Sequence, residues 1–212
     1  MLKRLKNIFG TSLGDDGIHV KHSSSTSLKK KRLYKEQSPL NEWNLIKELG
    51  DGAFGKVYQA FNEEKKQYAA VKVIEDCTDD ELPEHTVEID ILSECHHQNI
   101  IGFTDAYYSE KKLYIFLEYC TNGAVDHIMT TLGHGLDEKQ IRFIGNEVLE
   151  ALDYLHTQQF VIHRDVKASN ILLTHSGQVK LADFGVSAKN THQDQRRNEY
   201  IGTVYWYISK ER

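Results

Sequence analysis

HRDVKASN, residues 163–170, directly follows the apolar run FVI and sets His163, Arg164, Asp165, Lys167 and Asn170 within eight positions. Two readings compete. A polar turn gathers charged side chains because they face water. A catalytic loop gathers them because a carboxylate, a cation and an amide must meet one substrate. These residues alone do not choose between the two, and the neighbouring segments carry the decision.

Downstream, the strand-like runs ILLTH (171–175) and VKLAD (179–183) flank the turn HSGQ, and the second delivers Asp183 to a Phe184-Gly185 turn within ADFGVSAK. Upstream, LDEKQIRFIGNEVLEALDYLHTQ (136–158) repeats Ile141, Ile144, Val148, Leu152 and Leu155 at three- and four-residue steps. That period predicts a helix, with Asp137 as N-cap and Gln140 completing a capping-box pair. From Trp43 to Glu75 apolar and polar residues alternate between glycines and the polar stretch NEEKK, which predicts an antiparallel meander. TDDELPEHTVEIDILSEC (78–95) has a first-turn Pro83 and predicts a helix with Val87, Ile91 and Cys95 on one face and Glu88 and Leu92 beside it. IGFTDAYYS and KLYIFLEYC, split by EKK, add a hairpin and bring the sheet to about five strands. The order is a β-rich half with one helix, then a helical half.

GDGAFGKV, residues 50–57, fits G-x-G-x-x-G-x-V through Gly50, Gly52, Gly55 and Val57. A dinucleotide-binding turn would open a helix at the third glycine, whereas VYQAF continues as strand; a P-loop would carry Ser or Thr after Lys56, where Val57 stands. What remains is a glycine-rich hairpin, either a bare bend or a lid whose backbone N–H groups lie over phosphates. Lys72, ending AAVK, and Glu88 on the next helix have the order and separation of a phosphate-gripping pair, though each taken singly reads as a solvated surface charge.

In order, GxGxxGxV, AAVK, HRDxKxxN and DFG resemble the parts of a protein kinase. ELGDGAFGKVYQA, VEIDIL, GAVDHIM and LADFGVSAKNT are similar to the sterile-20-like germinal-centre serine/threonine kinases, nearest the Ste20-like and lymphocyte-oriented pair, over residues 42–206. The resemblance implies an α+β, bilobal fold with a complete small β-rich lobe and an incomplete helical lobe. Its segments would be a basic disordered arm (1–41), the small lobe (42–120), a partial helical lobe (121–206) and a divergent tail (207–212).

The resemblance also implies ATP and Mg2+ as cofactors and protein Ser/Thr hydroxyls as acceptors, since Lys167 matches serine/threonine rather than tyrosine kinases. Asp165 would take or orient the hydroxyl proton, Lys167 would offset charge on the transferred group, and Lys72, held by Glu88, would grip phosphates. Asp183 and Asn170 would hold the metal. Leu49, Gly50, Asp51, Gly52, Ala53, Phe54, Gly55 and Val57 would form the lid over ATP; Ala70 and Leu172 would sandwich adenine with Val57. Glu118 and Cys120 would offer backbone hydrogen bonds beyond Leu117 at the rear. Arg164 would pair with an anion in the activation loop, where Phe184, Gly185, Thr191 and Thr203 are regulatory candidates. Glu199, a serine in those kinases, reads either as a partial phosphate mimic or as a solvated glutamate, the latter favoured.

GTVYWYISK (202–210) stands where such kinases carry GTPYWMAPE, so a C-terminally truncated chain is expected. Leu152, Leu155 and Val161 would then face water, and a catalytically weak or inactive nucleotide-binding or dimerising module is the alternative to an active kinase.

Hydrophobic residues at 40% and charged residues at 27% fit an ordinary soluble domain, and no apolar run approaches a membrane span. Three widely spaced cysteines suit free thiols and a cytoplasmic setting better than a disulfide framework. The net charge of −5 hides a basic head, read as a solvated tail in preference to a turn that touches anionic membrane. No nucleic-acid partner is expected, and a homodimer follows from the resemblance alone.

Overall fold

The computed structural model describes residues 33–52 and 55–190. Ala53, Phe54, Thr191, Glu199 and Thr203, the first 32 residues of the arm and the tail from 207 lie outside the described residues. The predicted meander forms as β1 (Trp43–Gly52), β2 (Gly55–Asn62) and β3 (Gln67–Ile74), each antiparallel to the next. β4 (Phe103–Ser109) and β5 (Lys112–Glu118) form the second hairpin, closed by Glu110 and Lys111, both left-handed as a tight two-residue turn demands. The five strands order as β1-β2-β3-β5-β4. Gly55 is obligatory where β2 begins: its φ is +122° and a Cβ there would stand 2.4 Å from the Val73 carbonyl oxygen.

Alternation along β3 sends Val71 and Val73 into a cluster with Trp43, Tyr107 and Phe116 on one face of the sheet, and so Lys72 to the other. On that other face Ile74, Ala106, Leu113 and Ile115 pack against Leu82 and Ile89 of α1 (Leu82–Glu94). The helix is rotated from the expected face. Leu82, Glu88, Ile89, Ile91 and Leu92 are buried, whereas Val87 is 45% exposed. At 100° per residue Val87 falls about 40° beyond Ile91, just past the edge of the buried arc.

β6 (Gly123–Ala124) leads into α2 (Val125–Leu132), which ends at a left-handed Gly133, and α3 (Glu138–Tyr154) follows. The predicted capping box is present: Asp137 Oδ1 accepts from the Gln140 N–H and Gln140 Oε1 from the Asp137 N–H, both at 2.8 Å. A π-turn (Leu155–Gln159) and left-handed Phe160 return the chain to β7 (Val161–Ile162), which pairs with β10 (Ala188–Lys189). β6, β8 (Ile171–Leu173) and β9 (Val179–Leu181) make a three-stranded sheet.

Two expectations need correction. Leu155 and Val161 do not face water; at 0% and 1% exposure they sit in the cluster joining α1 to α3, with Leu152 packed against it. Leu155, seven residues after Val148, continues the buried face of α3, and Val161 joins the same cluster. Ile141 shares the face of Val148, seven residues on, yet is 57% exposed in the first turn of α3. Residues 33–41, read as the end of a disordered arm, are structured: Lys35 bridges Tyr107 in parallel and Pro39–Asn41 form a 3-10 turn capped by Ser38.

Replacing Asp137 with Ala removes the side-chain half of the capping box and is expected to cost about 1 kcal/mol. A urea titration with an unshifted midpoint would show that the cap contributes nothing.

Candidate active site

β3 and α1 are docked so that Lys72 Nζ lies 2.7 Å from Glu88 Oε2. Both residues are buried, at 7% and 5% exposure, so each ion is tolerated only through the other. Asp183 Oδ1, just beyond β9, comes within 3.4 Å of the same ammonium. Burial pushes the Lys72 pKa down, but the Glu88 and Asp183 charges outweigh it and hold it above the ordinary lysine value. The ammonium therefore stays charged and points at the end of β9.

The second group comes from the loop after β7. Asp165 is buried and its Oδ2 takes Lys167 Nζ at 2.8 Å and Asn170 Nδ2 at 3.1 Å. Asn170 Nδ2 also donates to the Asp165 carbonyl at 2.8 Å, which closes the loop over a 3-10 turn at Ala168–Asn170. Arg164, left-handed at φ +68°, donates through Nε to the Val186 carbonyl at 2.5 Å and through its terminus to Ser187 at 3.4 Å. Its expected anion in residues 191–212 lies outside the described residues.

His163 joins the two groups, a role that sequence spacing did not reveal. Its Nε2 donates to the Ala182 carbonyl at 3.0 Å, and its Nδ1 accepts the Asp165 N–H at 3.3 Å. That pair of bonds requires the neutral ring with its proton on Nε2. Burial lowers its pKa below the ordinary 6.5, only partly countered by the Ala182 bond, which agrees with a neutral ring. Phe184 is buried edge-on to this imidazole at 4.8 Å, Ser187 Oγ donates to the His163 carbonyl at 3.1 Å, and the Ala182 N–H donates to the Asn170 carbonyl at 2.8 Å. Asp183 itself is left-handed at φ +62° and its Oδ1 accepts the Gly185 N–H at 3.4 Å.

Around these groups, Val57 pairs with Lys72 in register, Ala70 pairs with Leu117, and all of Val57, Ala70, Leu117 and Leu172 are half-buried. Leu49, Gly50 and Asp51 on the far strand of the lid are exposed. Glu118 is anchored by its side chain, which meets Lys180 Nζ at 3.0 Å and the Gly102 N–H at 3.2 Å. Lys180 carried no sequence signal, because a lysine in a three-residue strand reads as solvated. Burial pushes the Cys95 thiol up to about 11 and the Cys120 thiol to about 12, so neither is poised as a nucleophile.

Since the folded state holds His163 below 6.5, its contribution to stability is full above that value and is lost as pH falls toward the folded-state pKa. Melting temperature is expected to fall between pH ~7.5 and ~5.5, and less steeply in His163→Gln. Equal slopes in both chains would remove His163 as the cause.

No three His, Cys, Asp or Glu side chains gather into a metal cluster among the described residues. The protein kinase domain family matches residues 43–212. Serine/threonine-protein kinase 10 of Danio rerio is 55% identical over 174 residues, covering 82% of this chain and 18% of that protein. The Homo sapiens protein of the same name is 49% identical over 172 residues, with 81% and 18% covered. Serine/threonine-protein kinase 1 of Arabidopsis thaliana is 40% identical over 171 residues, with 80% and 20% covered. The chain thus spans about a fifth of the length of these relatives. The resemblance to Ste20-like serine/threonine kinases read from the motifs holds against these relatives. On the matched residues and the convergence of Lys72, Glu88 and Asp183, the chain belongs to the protein kinase domain family.

Proposed function

We propose that this chain transfers the γ-phosphoryl group of ATP to serine or threonine hydroxyls of protein substrates. One observation carries the reading: a buried, charged Lys72 is held by Glu88 and aimed at Asp183, and the Asp165–Lys167–Asn170 group is hydrogen-bonded onto the same strand end. The serine/threonine class rests on Lys167 and on the names of the relatives.

Magnesium fits the residues present. Asp183 is one-third exposed and offers a hard carboxylate; Asn170 uses its amide nitrogen on Asp165, which orients its oxygen as the second donor. Among the described residues no group of three His, Cys, Asp or Glu side chains gathers there, and the remaining positions suit phosphate oxygens and water, as this ion prefers. Bound there, the ion would neutralise charge on the terminal phosphates. Lys72 binds phosphate oxygens, and Glu88 keeps its ammonium from turning away. The backbone of the glycine lid lies over the phosphates, with adenine between Val57, Ala70 and Leu172. Asp165 receives the substrate hydroxyl proton, its carboxylate fixed in direction by two donors, while Lys167 offsets negative charge that grows on the transferred group. Arg164 and Phe184 couple this loop to the segment that follows. Free buried thiols agree with a cytosolic protein; a homodimer and contact of the basic arm with anionic membrane rest on resemblance and sequence alone.

In Asp165→Asn the transfer rate to a serine peptide is expected to fall by about 10²–10⁴, with the magnesium-ATP thermal shift retained. Nucleotide binding without transfer by the unsubstituted chain would mark it as a non-catalytic module, and transfer unaffected by Asp165→Asn would remove the assigned base.

A further inference from the structure

Leu33, Tyr34 and Lys35 precede the residues that match the kinase family, yet they are built into the small lobe. β4 is the last strand of its sheet, so one of its edges lacks a strand partner there. Lys35 covers that edge: its N–H donates to the Ala106 carbonyl at 2.9 Å and its own carbonyl accepts the Tyr108 N–H at 2.8 Å. The Lys35 ammonium pairs with Asp105 and lies 4.9 Å from the centre of the buried Tyr107 ring. Leu33 and Tyr34 pack on the cluster that seats Leu82 and Ile89 of α1 against the sheet. Tyr34 meets Tyr108 edge-on at 5.9 Å, and the Tyr108 hydroxyl reaches the Cys77 carbonyl at 3.0 Å and Asp79 at 2.9 Å, both in the segment that enters α1.

The C-terminal end of α1 is tied to α3, where Ile91 and Leu92 enter the other buried cluster and the His96 N–H donates to the Tyr154 hydroxyl at 3.0 Å, whereas its N-terminal half rests on the cluster of Leu82 and Ile89. Its N-cap Glu81 makes no side-chain cap bond. The ion pairs of Lys189 with Asp90 and Glu94 near its C-terminus are solvent-exposed, a class that contributes little. The apolar cluster around Leu82 and Ile89 therefore sets where the N-terminal half of the helix sits, and part of its outer wall comes from residues 33 and 34.

We propose that residues 33–35 form a positioning strap, which holds α1 against β4 and thereby keeps Glu88 at Lys72. The strap gives residues upstream of the kinase homology a mechanical hold on the phosphate-binding ammonium: detachment from β4 would loosen α1 before the rest of the domain opens. Its consequence for catalysis rests on the kinase reading, but its test does not.

In the full 212-residue chain, Tyr34→Ala is expected to speed amide hydrogen exchange across α1 by about threefold or more, with α3 unchanged. Tyr34→Phe keeps the ring and should exchange like the unsubstituted chain. Unchanged α1 exchange in Tyr34→Ala, an equal rise in α1 and α3, or a Tyr34→Phe chain that behaves like Tyr34→Ala would each overturn the strap. Exchange requires no phosphoryl transfer, so an inactive chain would still answer.

Discussion

Two charges that water scarcely reaches, the Lys72 ammonium and the Glu88 carboxylate, constrain everything around them. Taking either ion from water alone would cost several kcal/mol, so a chain that buries one must bring the other to it. The strand must present its period-two polar position toward the helix, and the helix must rotate to show Glu88 between Ile91 and Leu92. Val87 is the residue displaced to solvent by that rotation. Because Asp183 shares the same ammonium, the end of β9 is drawn into the arrangement too. Three segments distant in sequence are thus held to one nitrogen atom.

The second constraint is uncharged. His163 acts as a neutral spacer with one donor and one acceptor, and both bonds run to backbone groups of the two segments that supply Asp165 and Asp183. A cationic ring could not accept from the Asp165 amide, which would leave that N–H without its partner in a buried place. Phe184 closes one side of the ring, and Ser187 ties back to the same residue's carbonyl. The loop and the strand end therefore move as one piece, whereas Lys72 and Glu88 belong to the sheet and its helix.

Much of this was legible in the sequence, for identifiable reasons. Short-range patterns survived intact: the Asp137–Gln140 capping box depends on residues three apart, and the hairpins depend on turns a few residues long. The catalytic groups were legible because phosphoryl transfer restricts residue type at fixed spacing, as in Asp165, Lys167 and Asn170. What escaped was decided across long separations. Lys35 finds its strand 72 residues later, and nothing in YKEQSPLN alternates to announce it. Lys180 and Glu118 meet across the chain, and Leu155 and Val161 are buried by partners far away in sequence, such as Ile91 and Leu181. Ile141 kept the helical step and the face of Val148 but is exposed in the first turn of α3, since period alone does not say how far along a face its neighbour extends.

Cys77, Cys95 and Cys120 are all buried free thiols whose ionisation is suppressed by burial. Only the thiolate attacks an alkylating reagent, so the folded domain protects all three by withholding both access and charge. One lies before α1, one at its end and one at the edge of the expected adenine site. The rate at which each becomes labelled is consequently a local clock, timing how often its own corner of the molecule opens to solvent.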